Sequence, residues 1–189
     1  MFFDAAPESS GRVVPLKVLG IDPGMATTGW GVVEKGRDQR CRAVRYGCIL
    51  TPAATPMVER LQALARGLQR LIDDEKPDVA AVEELFFAKD SRTAANVGQA
   101  RGVILYVLSQ RGLPVHEYNP RNVKMALTGY GGADKSQMQK MVQGLLSLKE
   151  MPKPDDAADA LAIALCHLNT QRFADGPAGA VRPKTGERP

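Results

Sequence analysis

A chain of 189 residues supports one well-formed core but not two large lobes, which disfavours any function that needs a deep interdomain cleft. Hydrophobic residues make up 44% of it, yet no run approaches the roughly 20 continuous apolar residues that cross a bilayer, so a soluble protein is expected. A net charge of +4 suits a polyanionic partner without naming one.

Residues 1–14 carry an early Asp4 and no basic stretch before an apolar run, so they read as a disordered N-terminal extension rather than a secretory signal. LKVLGID (residues 16–22) reads as a strand apolar on both faces, closed by the turn Pro23-Gly24. Residues 28–34 and 41–50 are further strand-like runs separated by the polar KGRDQR, which predicts an antiparallel meander. From residue 57 to 72, Leu61, Leu64, Ala65, Leu68, Leu71 and Ile72 recur at helical spacing before the stop KPD. A second buried strand follows at 78–83, a long helix at 90–111, and a short strand at 113–118 opened by Pro114. Two more helices are expected at 134–148 and 155–170, ahead of a Gly/Pro-rich tail, residues 171–189, that composition marks as disordered. The order is α/β with a mixed sheet, in one domain spanning residues 15–170.

Cys41, Cys48 and Cys166 are odd in number and lack C-x-x-C or zinc-ligand spacing, which argues against a disulfide framework or a structural zinc and for a reducing cytoplasm. The carboxylates carry the functional signal. Asp22 and Glu83 end the two strands expected inside the sheet, and Asp156 and Asp159, three apart, project from one face of the last helix. Singly each has an ordinary explanation, as a turn, a strand-end charge or a cap. Jointly they do not, because Asp159 lies in the Ala-rich AADALAIALC with no basic residue between Lys153 and Arg172 to offset it. Oxygen donors without a Cys or His cluster suit a hard cation, Mg²⁺ or Mn²⁺. Two such ions about 3.5–4 Å apart serve phosphodiester hydrolysis.

Six ordered segments carry a family likeness: GIDPG (20–24), TGWGVV (28–33), VEELFFAKD (82–90), GQARGV (98–103), GYGGADKSQMQ (129–139) and DDAADALAIA (155–164). Together they resemble the RuvC family of Holliday-junction resolvases, over residues 17–170. The resemblance implies a ribonuclease H-like fold with a mixed five-stranded sheet flanked by helices. It further implies a homodimer that nicks two opposed strands of a four-way DNA junction, leaving 5′-phosphate and 3′-hydroxyl ends, with RuvA and RuvB as partners. By the same likeness Asp22, Glu83, Asp156 and Asp159 are the catalytic, metal-binding carboxylates, with two ions expected. Lys135 and Lys124 fall where the family carries functional lysines, and Phe86, with Phe87 beside it, where it carries an aromatic that wedges into the junction.

Arg92, Arg101 and Arg121 are softer DNA-contact candidates, since surface basic residues are ordinarily just solvated. The ordinary reading of Phe86-Phe87 is an anchor between strand and helix. Asp155 is read as a cap, Glu84 as pointing away from Glu83, and His167 as a packing residue that shares a helix face with Asp159. Val97, Val103, Ile104 and Leu108 of the long helix are candidates for the dimer surface, some of them shared with the core. Met25 after GIDPG, and both terminal extensions, depart from the family pattern. Three rivals remain: a non-catalytic junction-binding protein, a nuclease of the same fold acting on RNA, and an actin-like sugar kinase or ATPase. The last needs two lobes and a second Gly-rich phosphate loop that this chain lacks.

Overall fold

The computed structural model describes residues 15–84 and 91–174, except for the side chains of 91–93 and 171–174. Three antiparallel strands open the chain: β1 (Leu16–Asp22), β2 (Thr27–Lys35) and β3 (Cys41–Leu50). Helix α1 (Met57–Glu75) leads to β4 (Val79–Glu83), and α2 (Ser91–Gln110) to β5 (Val115–Tyr118). Helices α3 (Pro120–Thr128), α4 (Lys135–Leu145) and α5 (Asp155–Ala174) complete it. The sheet runs β3-β2-β1-β4-β5, with β1 antiparallel to β2 and parallel to β4, and β4 parallel to β5. This is the mixed five-stranded sheet expected from the sequence.

The alternation of strand side chains sorts two cores onto the two faces of this sheet. Leu19, Ile21, Ala80 and Val82 pack against α1 and α2, burying Leu64, Leu68, Ile104 and Leu108. Val18, Val79 and Ala81 face the other way, against Leu161, Ile163 and Leu165 of α5 and residues of α3 and α4. Counting in twos, Asp22 continues the row of Val18 and Gly20, and Glu83 continues that of Val79 and Ala81. Both carboxylates therefore emerge on the α5 side, at the same end of neighbouring parallel strands.

Small residues let α5 lie unusually close to the sheet. A Cβ added to Gly20 would stand 2.0 Å from the Ala160 carbonyl oxygen, and one added to Gly29 2.0 Å from that of Asp156. These are contacts that only glycine permits. They seat the first turn of α5, and with it the acidic pair, directly over β1 and β2.

Helix α3 has no counterpart in the sequence expectations. Its start is nonetheless well marked: Asn119 accepts a hydrogen bond from the Arg121 backbone N–H, Pro120 follows at the first helical position, and Gly129 ends it in the left-handed region at φ 73°. At the C-terminus, α5 runs to Ala174, one turn past residue 170, because NTQRFA contains no helix breaker before Asp175-Gly176-Pro177. Residues 1–14 and 175–189 of the expected extensions lie outside the described residues. Among the described residues, no helix is long and apolar enough to cross a membrane.

Candidate active site

The strand ends, α3, α4 and α5 enclose a cavity of about 240 Å³ whose polar lining is Asp22, Glu83, Asp159, Lys124 and Lys135. Val123, Met138 and Ile163 supply much of its apolar wall. Each polar residue arrives on a different element: β1, β4, α5, α3 and the first residue of α4. Helix α4 is fixed at that end by a capping box, in which Asp134 accepts from the Gln137 backbone N–H while the Gln137 side chain accepts from the Asp134 backbone N–H.

The Asp22 and Glu83 carboxyls are close enough for each to act on the other's titration. Burial, and then the charges of Glu83, Asp159 and Asp156, push the Asp22 carboxyl up to about 8. Burial also raises Glu83, against the Asp22 hydrogen bond and the charge of Lys124, which lower it. Asp159 is raised by burial as well, with Lys135 acting in the opposite direction. The cavity thus gathers three carboxyl groups whose ionisation burial opposes, beside two lysines.

Lys135 Nζ lies 2.9 Å from Asp155 Oδ2 and 4.0 Å from Asp159 Oδ2. This corrects the sequence argument that Asp159 has no basic partner: one is supplied by α4, twenty-four residues upstream, a distance that local inspection of the helix cannot reveal. Asp155 also accepts from Gln139 Nε2 at 2.9 Å, and its pKa is lowered, chiefly by the hydrogen bond to Lys135. Asp156 stands beside the cavity rather than in its lining, where its charge reaches both Asp22 and Cys48. Cys48, on β3, is a neighbour of the site that sequence reasoning passed over; its only signal is its position opposite Gly29, over which Asp156 sits.

The remaining candidates separate. Arg121 is exposed at the start of α3, its aliphatic stem against Gly131, outside the cavity lining. Arg101 is only 16% exposed and is turned inward, towards Glu83 and Glu117, so it is not the open surface cation a DNA contact requires. Ile104 and Leu108 are fully buried in the protomer's own core and are unavailable to a dimer surface, whereas Val97 and Val103 are half-buried. His167 is buried; its Nδ1 and the Tyr118 hydroxyl are 2.7 Å apart, and its ring packs 4.7 Å from that of His116. It is a packing residue away from the cavity, with its pKa pushed down to about 4 by burial and then by His116. Phe86 and Phe87 lie outside the described residues, as does the side chain of Arg92.

Carboxylates with no soft donor among them fit a hard divalent cation, and neighbouring acids that raise one another's pKa are a group that such a cation would relieve. Among the described residues no three His, Cys, Asp or Glu side chains already stand in a metal-holding arrangement.

The family model described as "Crossover junction endodeoxyribonuclease RuvC" matches residues 18–167. A protein of that name from Endomicrobium trichonymphae is 56% identical over 153 residues, covering 81% of this chain and 80% of its own length. One from Chloroflexus aurantiacus is 56% identical over 162 residues, covering 84% and 98%. Among solved structures, the RuvC of T. thermophilus in complex with Holliday junction substrate superposes with a TM-score of 0.77 at 35% identity, covering 84% of this chain and 96% of its own. With this agreement of sequence and of the ribonuclease H-like fold, the chain belongs to the RuvC family of crossover junction endodeoxyribonucleases.

Proposed function

We propose that the protein resolves four-way DNA junctions, nicking two opposed strands symmetrically with the help of a divalent cation. The observation that carries this reading is the convergence of Asp22, Glu83 and Asp159 from three distant elements on one cavity that also receives Lys124 and Lys135. A structural role for so many like charges is unfavourable unless a cation offsets them.

Asp22, Glu83 and Asp159, with Asp156 at the rim, hold Mg²⁺ or Mn²⁺, two ions being the expected number. Bound there, the cation supplies Lewis-acid polarisation of the scissile phosphate and a water acidic enough to attack it near neutral pH. The protein's own groups do the rest. The rigid strand ends orient Asp22 and Glu83; Lys135 sets its ammonium where negative charge grows on the phosphate; Lys124 and Arg121 neutralise flanking backbone, together with Arg92. Phe86 and Phe87 unstack bases at the crossover. The products carry 5′-phosphate and 3′-hydroxyl ends. Two-fold symmetric cutting calls for a homodimer, for which the outer face of α2 is the natural surface, Tyr106 there being 64% exposed. Residues 15–170 constitute the nuclease domain, working in the cytoplasm, where RuvA and RuvB would deliver the junction.

Comparing cleavage of a synthetic four-way DNA junction, a linear duplex of the same sequence and an RNA–DNA hybrid, with products mapped at nucleotide resolution, tests this reading. Paired nicks in the four-way junction alone are expected. Equal cutting of linear duplex, preference for the hybrid, or junction binding without any cleavage would each overturn it.

A further inference from the structure

We propose that Arg101 is a positioning residue for Glu83, locking the end of β4 so that the Glu83 carboxylate is held ready for the cation; this rests on the reading of Glu83 as a metal ligand. Arg101 sits on the edge of the α2 face that buries Ala100, Ile104 and Leu108 against the sheet, which carries its side chain along the C-terminal end of the parallel strands. Its Nε donates to the backbone carbonyl of Glu83 at 3.4 Å, and its Nη2 pairs with Glu117 Oε2 at 2.5 Å. Glu117 is the register partner of Val82, the residue before Glu83, and the next backbone N–H, that of Glu84, donates to the Tyr118 carbonyl at 2.9 Å.

One planar guanidinium thus ties the last residue of β4 to both the neighbouring strand and the helix behind it. Arginine suits this task because its donors lie in a fixed plane and can serve two acceptors at once, which an ammonium on a flexible stem does less well. The need for such a lock follows from the position of Glu83 as the last residue of β4. Where its carboxylate oxygens fall depends on how that strand end is held, and the Arg101 contact is made to the Glu83 backbone itself. Arg101 makes no contact with the reacting atoms; it acts through Glu83.

The test uses the full chain with Arg101→Gln, Arg101→Lys and Glu117→Gln. Three quantities are read: junction affinity in EDTA, the single-turnover cleavage rate as a function of Mn²⁺ concentration, and the Mn²⁺-induced rise in melting temperature. Arg101→Gln is expected to bind the junction as the parent does, to need about 10–100-fold more Mn²⁺ for half-maximal cleavage, and to lose most of the melting-temperature rise. Arg101→Lys, which keeps the ion pair but not the paired donors, should fall in between, and Glu117→Gln should show a smaller shift in the same direction. Loss of junction affinity in step with cleavage would make Arg101 a DNA contact and overturn the proposal. An unaltered Mn²⁺ dependence would reduce it to a packing residue and overturn it equally. Should Arg101→Gln fail to fold, Arg101→Lys and Glu117→Gln carry the same readouts. Failure of the parent to cut junctions would sink the nuclease reading instead, and the Mn²⁺ melting shift would still distinguish parent from variant.

Discussion

Asp22 and Glu83 end adjacent parallel strands on the same side of the sheet, and burial together with the charge of Glu83 pushes the Asp22 carboxyl up to about 8. An Asp in the unfolded chain loses its proton near 3.8. Between those values Asp22 keeps, in the folded protein without cation, a proton that it has lost in the unfolded chain, so its contribution to stability falls as pH rises through that window. A cation must displace the proton that Asp22 holds, so its affinity rises with pH, by about tenfold per pH unit for each proton released. The melting-temperature rise produced by a fixed Mn²⁺ concentration should therefore be larger at about pH 8 than at about pH 6. A rise independent of pH would mean that the pair does not titrate against the ion.

Gly29→Ala tests whether the close approach of α5 builds the site. The added Cβ would meet the Asp156 carbonyl at 2.0 Å, a clash with backbone that no rotamer relieves. The variant should lose at least about 1–3 kcal/mol of stability, and cleavage should fall well beyond the unfolded fraction because the first turn of α5 is displaced. Circular dichroism melts alongside cleavage rates below the melting point separate the two effects.

Lys135→Ala breaks pairings that are largely solvent-exposed, 55% for Lys135 and 57% for Asp155, so its melting temperature should hardly change. Its cleavage rate should drop about 10²–10³-fold, because the ammonium is needed only as charge develops on the phosphate. Asp155→Ala, which loses the same ion pair from the other side, should cut at close to the parent rate. Equal defects in the two variants would show that the ion pair, rather than Lys135 itself, is what matters.

Phe86→Ala should bind junctions with little loss and cut them about tenfold more slowly, because base unstacking rather than affinity is removed. Normal cleavage by this variant would return Phe86 to the role of strand anchor. A 2-aminopurine probe at the crossover reports the unstacking directly.

Much of the site was legible because it rests on local rules. Asp22 and Glu83 each close a run apolar on both faces, which was enough to set them at strand ends; that they share one side of the sheet came from the strand register. Helix spacing set Asp156 and Asp159 near one another, but only Asp159 lines the cavity. What the sequence concealed was pairing between elements. Lys135 meets Asp159 only because α4 packs across α5, and Arg101 meets Glu83 only because α2 crosses behind the end of β4. Helix α3 is the opposite case: Asn119-Pro120 and Gly129 mark both of its ends, but its nine residues hold only Val123 and Leu127 as a buried face, too short a stretch for periodicity to stand out.

The most direct measurement is junction cleavage by Asp22→Asn at saturating Mg²⁺, with junction binding followed in parallel. Asparagine keeps the shape of the side chain but cannot ionise to hold a cation, so binding should be retained while cutting falls by about 10³-fold or more. Nicking of the four-way junction by this variant at near the parent rate would contradict the assignment of the carboxylate cluster as the catalytic centre.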